Sequence, residues 1–95
     1  MFTVLFACVH NAGRSQMAAA WFNSLADLTL ARAISAGTRP ADQVHPEVLA
    51  AMREVNIDLR SAKPASLTWE FAQHADLLLT MGCSEECPFA ARSRN

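Results

Sequence analysis

A short apolar run followed by a compact polar loop constrains this fold more than any other feature of the chain. Residues 4–7 are Val-Leu-Phe-Ala, and residues 8–15 are Cys-Val-His-Asn-Ala-Gly-Arg-Ser, with a segment of helical periodicity after them. A strand, a tight loop and a helix start form a cradle for an oxyanion, because backbone N–H groups there point into one small volume. In such a cradle Arg14 would clamp two oxygens, and the Cys8 sulfur would lie beneath the central atom.

The residue types in this loop favour a cysteine nucleophile. Helix N-termini and nearby cations stabilise a thiolate, the reactive form of the side chain, and the Ser15 hydroxyl can donate to the sulfur. We expect the Asn11 side chain to hold the loop open by bonding its backbone, and Gly13 to supply a positive φ or a close backbone approach. Ala12 and Gly13 would also offer backbone N–H groups to the anion, whereas His10 is interpreted as loop filler.

Other interpretations of the loop are weaker. An isolated cysteine at a strand end is commonly a small buried hydrophobe, and this is the alternative for Cys8. The polar residues that follow it through Ser15 favour an oxyanion-binding nucleophile instead. A nucleotide-binding Walker loop is excluded because the segment lacks the Gly-Lys-Ser/Thr sequence.

The composition indicates one small domain, residues 1–95, in a reducing compartment. The chain is 52% hydrophobic and 18% charged, so it is built to bury a core. Its net charge of -1 gives no reason to expect nucleic acid or a membrane surface as a partner, and no apolar run approaches the roughly 20 residues of a membrane-spanning helix. Three cysteines cannot all pair within one chain, which favours reactive thiols in a cytoplasmic protein.

Hydrophobic periodicity predicts an α/β fold with a parallel sheet. The predicted strands cover residues 3–7, 31–36 and 76–81. The predicted helices run from Ser15 or Gln16 to near Leu28, from Pro46 to a C-terminal cap at Asn56, and from a Thr68 cap to about His74. Right-handed crossovers and a flavodoxin-like topology would place the first strand between the other two, in the order 2-1-3.

Apolar side chains at helical spacing predict which residues are buried. On the first helix they are Met17, Ala20, Trp21, Leu25 and Leu28. On the second helix they are Val48, Leu49, Met52 and Val55. Trp69 and Met81 are likewise expected in the core rather than in contact with a cofactor.

The loop and its continuation, residues 8–18, resemble the active-site loop of the low molecular weight protein tyrosine phosphatase superfamily. Within the superfamily, the arsenate reductases are the most similar branch. Four further segments also resemble that branch: the Ser-Ala-Gly-Thr turn at 35–38, the Pro46 helix, the Ile-Asp-Leu segment at 57–59 and the cysteine-containing segment at 80–88. The resemblance implies a flavodoxin-like three-layer fold, from which the fourth strand is missing here.

The resemblance also assigns roles to the loop residues. It implies that Cys8 is the nucleophile and that Arg14 binds the oxyanion. Asn11 and Ser15 would support the thiolate. Cys83 would follow the third strand and so lie near Cys8, if the predicted strand order is correct.

Reduction of arsenate needs two electrons from thiols, and Cys83 and Cys87 are the candidates within the chain. Cys8 would attack arsenic(V), Cys83 would attack the Cys8 sulfur, and Cys87 would take the disulfide from Cys83, which resembles the arsenate reductases that use thioredoxin. Their later cysteines are usually spaced more widely. A related branch uses a small thiol, mycothiol or glutathione with glutaredoxin, and needs only the loop cysteine, so both routes stay open.

Two further alternatives concern these later cysteines. Cys83 and Cys87 could be unused loop thiols, or they could form half of a metal site with His74 or His45. The chain has no second close pair with zinc-ligand spacing, so we expect no metal site.

The general acid of the superfamily, an aspartate on a late loop, has no counterpart in this sequence. The last aspartate is Asp76, in or beside the third strand, and Glu85 and Glu86 are more simply solvated charges. The residues after Ala90 do not resemble the family, so we expect a chain truncated at its C-terminus or a frame change near Ala90. The open edge of the third strand would then favour dimerisation, segment exchange or aggregation.

Three functions are compatible with these observations. The first is thiol-dependent reduction of arsenate to arsenite, which the two later cysteines favour. The second is a phosphatase acting on phosphotyrosine or aryl phosphates. The third is a non-catalytic remnant that binds arsenate, phosphate or sulfate. We expect no bound cofactor, and the expected partners are an oxyanion and a thiol reductant.

Overall fold

The computed structural model describes residues 1–81, which form a three-stranded sheet with helices between the strands. In chain order the elements are β1 (Phe2–Cys8), α1 (Arg14–Leu25), β2 (Ala31–Gly37), α2 (Pro46–Glu54), α3 (Trp69–His74) and β3 (Leu77–Thr80). The strand order is β2-β1-β3, which confirms the predicted order and the α/β class. Both strand pairs are parallel, so the carboxyl ends of all three strands lie at one edge of the sheet.

The pairing register brings the strand ends together beside the predicted nucleophile. β1 is the central strand, and its Leu5 and Ala7 are completely buried. Cys8 lies opposite Gly37 of β2, and Ala7 lies opposite Thr80 of β3. The segments that follow the three strands therefore begin close to one another, at the position where ligands bind in open α/β sheets.

The buried face of α1 differs from the predicted one. The buried residues of this helix are Ser15, Gln16 and Ala19. Trp21 and Leu25, which we expected in the core, are 42% and 81% exposed. The prediction was wrong because α1 begins inside the loop, where hydrogen bonds of Ser15 and Gln16 fix the rotation of the helix about its axis. The rotation of α1 therefore determines which of its apolar residues are buried and which are exposed.

Other predicted core positions gave mixed outcomes. Met52 and Val48 of α2 are buried, and half-buried Met17 and Ala20 of α1 pack against their cluster, so this cluster joins the two helices. Three residues that we expected to be buried are exposed, namely Leu28, Val55 and Trp69. Leu28 lies beyond the end of α1, and Val55 is the C-cap of α2, so neither belongs to a regular helical face.

The ends of α2 and α3 have the predicted caps. Pro46 occupies the first turn of α2, and Asn56 has a positive φ of 66° just after the helix. The Asn56 N–H donates to the Arg53 carbonyl, and the Ile57 N–H donates to the Met52 carbonyl, which is the Schellman pattern of a helix end. At α3 the Thr68 hydroxyl accepts from the Phe71 N–H at 3.2 Å, as predicted for an N-cap.

A side-chain amide covers part of the outer edge of β2. Asn23 of α1 donates from Nδ2 to the Ala33 carbonyl at 3.0 Å and accepts the Ala33 N–H on Oδ1 at 2.8 Å. The amide thus replaces the peptide group of a neighbouring strand. Further along β2, Gly37 pairs with the segment around Ser66. Both features occupy backbone groups that would otherwise be open to another strand.

The opposite end of the sheet contains the last aspartate. The Asp76 carboxylate accepts the Thr3 N–H at 2.7 Å, and the Asp76 N–H donates to the Thr3 carbonyl at 2.8 Å. Asp76 therefore lies at the amino end of β1, a strand length away from Cys8. Among residues 1–81, no helix is both long enough and apolar enough to cross a membrane.

Candidate active site

Residues 9–13 connect β1 to α1 and form the loop predicted to hold an oxyanion. The loop crosses directly over Gly37, at the end of β2. A Cβ atom on Gly37 would lie 2.5 Å from the Val9 carbonyl oxygen and 3.0 Å from Cβ of Asn11. Only glycine leaves room for the loop at this crossing, so the end of β2 helps to determine the path of the loop.

The connection after β2 binds the outer side of the loop through a series of backbone hydrogen bonds. Its N–H groups donate to loop carbonyls in the pairs Thr38 to Cys8, Arg39 to Val9, Ala41 to His10 and His45 to Ala12, at 2.8–3.0 Å. Because the C=O and N–H of one trans peptide point in opposite directions, the N–H groups that follow these carbonyls point away from the connection. The loop thereby presents donors on its inner side, as an anion cradle requires.

The Cys8 sulfur is held at the base of this loop. Cys8 is 8% exposed, and its Sγ lies 2.8 Å from the Ser15 hydroxyl and 3.1 Å from the Asn11 nitrogen, whose N–H donates to it. The predicted contact between Ser15 and the sulfur is therefore present. The N–H and the hydroxyl fix the position of the sulfur at the base of the loop.

Asn11 connects the loop to two other parts of the chain. Its Oδ1 accepts the Ala65 N–H at 2.8 Å, which fixes the orientation of the amide, and its Nδ2 donates to Ser15 Oγ at 2.8 Å. Because Ser15 Oγ accepts this bond, its own hydrogen is available for the Cys8 sulfur. We expected Asn11 to bond the backbone of the loop itself, but its side chain instead bonds Ser15 and the distant residue 65.

The unusual backbone conformation of the loop also belongs to Asn11. Its φ is 51°, whereas Gly13 has a φ of -137°. A Cβ atom on Gly13 would make only ordinary contacts, at 3.7 Å or more. The predicted positive φ at Gly13 is therefore wrong, and Asn11 supplies the left-handed turn, which asparagine tolerates better than most residues.

Gln16 is a buried residue of the site that the sequence interpretation missed. It is 6% exposed, and its Nε2 lies within hydrogen-bond distance of the Asn11 carbonyl at 3.1 Å, Asn11 Oδ1 at 3.2 Å and the Lys63 carbonyl at 3.3 Å. It therefore joins the loop to the segment before Ala65. The available signal was its place one residue after Ser15, in the first turn of a helix that starts from the loop.

A cavity of about 560 Å³ opens above the sulfur. Its described lining consists of Cys8, Val9, His10, Asn11, Ala12, Gly13, Arg14, Met17, Arg39, His45 and Met81. This lining contains two arginines and two histidines, but neither a carboxylate nor a Phe, Tyr or Trp side chain. Arg14 is exposed and follows the N-cap of α1 directly, so its charge adds to the positive end of the helix dipole. The cavity is therefore electrostatically suited to an anion.

The later cysteines, Cys83 and Cys87, lie outside the described residues. The described chain approaches the cavity at Met81, whose N–H donates to the Ala7 carbonyl at 2.7 Å and whose side chain is part of the lining. Within residues 1–81, no group of three or more His, Cys, Asp or Glu side chains could hold a metal ion.

The loop is a candidate cysteine-based oxyanion site on a flavodoxin-like sheet, and the sequence comparisons agree with this fold class. The family model of the low molecular weight phosphotyrosine protein phosphatases matches residues 3–94. The chain belongs to this family, which confirms the resemblance inferred from the loop.

Individual relatives include both named reductases and named phosphatases. The arsenate reductase of Bacillus cereus strain 03BB102 is 38% identical over 90 residues, which cover 90% of this chain and 64% of that protein. The solved thioredoxin-dependent arsenate reductase of Corynebacterium glutamicum is 41% identical with a TM-score of 0.83, over 93% of this chain and 46% of that one. The low molecular weight protein tyrosine phosphatase of T. tengcongensis is 28% identical with a TM-score of 0.82, over 98% of this chain and 67% of that one. The chain thus spans less than two thirds of the reductases it matches.

Proposed function

We propose that this protein reduces arsenate to arsenite, with Cys8 as the nucleophile. The observation that carries the proposal is the Cys8 sulfur, held by Ser15 Oγ at 2.8 Å and the Asn11 N–H at 3.1 Å at the base of a cation-lined cavity. Arg14 and the N–H groups of Ala12 and Gly13 bind the oxygens of the anion. Asn11 and Ser15 position the sulfur and also shape the substrate site.

The proposed reaction has two bond-forming steps at sulfur. The Cys8 thiolate attacks arsenic(V), a sulfur–arsenic bond forms, and one arsenic–oxygen bond breaks, with its oxygen leaving as water after protonation. A second thiolate then attacks the Cys8 sulfur and forms a disulfide. The electron pair of the sulfur–arsenic bond passes to arsenic, which is reduced to arsenic(III) and leaves as arsenite.

We propose that the second thiol comes either from Cys83, with Cys87 completing the relay, or from an external thiol. The relay is supported by the position of Met81 beside the cavity, because Cys83 follows only two residues later. The external reductant is thioredoxin in one route and a small thiol, mycothiol or glutathione with glutaredoxin, in the other. Similarity to a reductase named as thioredoxin-dependent supports the first route. Thiol chemistry of this kind fits a cytoplasmic location.

Arsenate-dependent consumption of thiol tests the proposal, measured once with thioredoxin and its reductase and once with a small thiol. We expect Cys8→Ser to abolish the consumption, since no other described residue can form the sulfur–arsenic bond. Full activity of Cys83→Ser with thioredoxin alone would reject the relay. Consumption that persists undiminished in Cys8→Ser would reject the proposed function.

The second candidate function is hydrolysis of aryl phosphates, which the family and the similarity to a tyrosine phosphatase favour. The described lining of the cavity offers no Phe, Tyr or Trp side chain to stack on an aryl ring, and this disfavours it. Release of phenol from an aryl phosphate without arsenate turnover would select the phosphatase. Binding of arsenate or phosphate without either turnover would select the anion-binding remnant.

We also propose that two copies associate through the outer edge of β3. Among the described strands β3 lies at one edge of the sheet, and its Leu77 is exposed. The edge of β2 is less available because Asn23 and the segment around Ser66 cover it. Sedimentation of the protein over a range of concentrations tests this proposal, and a monomer at every concentration would contradict it.

A further inference from the structure

His45 borders the candidate active site but has no role in the reaction proposed above. It is the N-cap of α2, and the following Pro46 keeps it out of the helical conformation, at φ -60° and ψ 136°. Its N–H donates to the Ala12 carbonyl at 3.0 Å, and its carbonyl accepts from the N–H groups of Val48 and Leu49. The backbone of His45 is therefore fixed on both sides, to the loop and to the helix.

The imidazole of His45 belongs to the lining of the cavity above Cys8. It lies against Gly13, since a Cβ atom on Gly13 would come within 3.7 Å of Cδ2 of His45. Gly13 immediately precedes Arg14, so the ring borders the part of the loop that carries the anion-binding guanidinium. His45 is an exposed residue, and it forms part of the cavity lining.

We infer that His45 is a further substrate-binding residue, which donates a ring N–H to an outer oxygen of the bound oxyanion. A tetrahedral oxyanion has oxygens that face away from the cradle, and these need donors from the wall of the cavity. An imidazole carries at least one N–H in either protonation state, so it can donate throughout the working range of pH. No carboxylate in the described lining competes for this donor.

His10 is the other histidine of the lining, and its placement is less suited to this task. Its backbone is anchored by a loop hydrogen bond from the Ala41 N–H to the His10 carbonyl. His45 has three such bonds and a proline after it, so its backbone is held more firmly beside the cavity than that of His10. A donor that is already fixed near the anion loses less entropy on binding.

The inference rests on the proposed function only in requiring that the site holds a tetrahedral oxyanion, so it is tested with inorganic phosphate, which thiols do not reduce. The measurement is the rate at which iodoacetamide alkylates Cys8 at increasing phosphate concentration. In the unaltered protein we expect phosphate to slow alkylation, because the bound anion covers the sulfur. In His45→Phe, which keeps a ring without a donor, half-protection should need about tenfold more phosphate.

Three further variants control this experiment. His45→Gln retains an N–H donor and should restore most of the protection, whereas His74→Ala, on the remote helix α3, should leave it unchanged. Equal protection of His45→Phe and the unaltered protein would overturn the inference, as would no protection of the unaltered protein. Loss of phosphate protection in His10→Ala, with protection retained in the His45 variants, would also overturn the inference.

Steady-state kinetics with arsenate separates this inference from the proposed function. His45→Phe should raise KM for arsenate with little change in kcat, because a contact made equally with substrate and transition state affects binding alone. Absence of arsenate turnover, combined with His45-dependent protection by phosphate, would reject the reductase but retain His45 as a ligand. If His45→Phe has normal turnover, an unchanged KM and unchanged protection by phosphate, the role of His45 as a ligand is rejected and the proposed function is retained.

Discussion

Two asparagines adopt left-handed backbone conformations in this protein, and they differ in what surrounds them. Asn11, at φ 51°, is completely buried in the loop, and its side chain bonds Ser15 and the Ala65 N–H. Asn56, at φ 66°, is exposed at the end of α2, where its backbone alone completes the helix cap. The first position requires the asparagine side chain, whereas the second requires only the conformation.

The same contrast extends to the neighbours of each asparagine. The hydrogen bonds around Asn11 join buried or half-buried groups, and together they hold the Cys8 sulfur in place. After Asn56, Arg60 binds the Asp58 carboxylate through three side-chain hydrogen bonds, but the two side chains are 79% and 60% exposed. Water competes for such a pair, so the number of hydrogen bonds says little about stability without burial.

Substitution of each asparagine by glycine is the strongest test of this comparison, because glycine keeps the positive φ and removes only the side chain. Asn11→Gly should lower the free energy of unfolding by about 3 kcal/mol, since the Ala65 N–H and Ser15 lose buried partners. Asn56→Gly should change it by less than about 0.5 kcal/mol, because glycine is preferred at this helix position. Urea denaturation of both variants checks the difference, and equal effects would break the comparison.

Two glutamines in helices extend the test to the neighbours of Asn11. Gln16→Ala should lower the free energy of unfolding by about 1–2 kcal/mol, because the carbonyl groups of Asn11 and Lys63 lose a shared donor. Gln73→Ala is the matched control on α3, where the side chain is exposed and alanine favours the helix. Thermal denaturation compares the two variants. Similar melting temperatures would show that the buried amide contributes little.

Uncovering the edge of β2 is expected to have a smaller effect on the free energy of unfolding, together with an effect on self-association. Asn23→Ala should cost about 1 kcal/mol, because the N–H and carbonyl of Ala33 lose their partners but gain access to water. It should also increase self-association, since an uncovered strand edge can pair with another chain. Light scattering at several protein concentrations measures this. A variant that is as monodisperse as the unaltered protein would refute the protective role of Asn23.

The smallest effect is expected at the exposed ion pair. Hydrogen bonds from Arg60 lower the pKa of the Asp58 carboxyl below its ordinary value. A lowered pKa stabilises the fold above the pKa of the unfolded chain, about 4, and this contribution is lost as the pH falls through the lower folded value. Because both side chains are exposed and water screens the pair, this contribution is small, and Asp58→Asn should leave the melting temperature nearly unchanged between pH 5 and 8. A clear fall in that range would contradict the assignment of the pair to screened surface charge.

Sequence patterns were sufficient for the parts of the molecule that depend on local chemistry. The Thr68 and Asn56 caps and the contact between Ser15 and Cys8 follow from short motifs, whereas the strand order follows from the flavodoxin-like topology that the resemblance implies. The polar residues of the loop indicate the candidate site for the same reason, because an oxyanion cradle is built from consecutive residues.

The errors arose where tertiary contacts determine the outcome. The rotation of α1 follows from bonds of Gln16 to Asn11 and Lys63, and Lys63 is 47 residues away in sequence, so periodicity placed Trp21 in the core although it is exposed. The positive φ was assigned to Gly13 by residue type, yet Asn11 adopts it because Ala65 fixes its side chain. Neither contact has a local signal in the sequence.

The most direct test of the central claim is to separate arsenate from arsenite by chromatography after incubation with the protein and an excess of reduced thioredoxin or small thiol. If Cys8 in its cradle performs the reduction, the unaltered protein should form arsenite in proportion to time, and Cys8→Ser should form none above the protein-free control. Arsenite formed by Cys8→Ser at the rate of the unaltered protein would contradict the account.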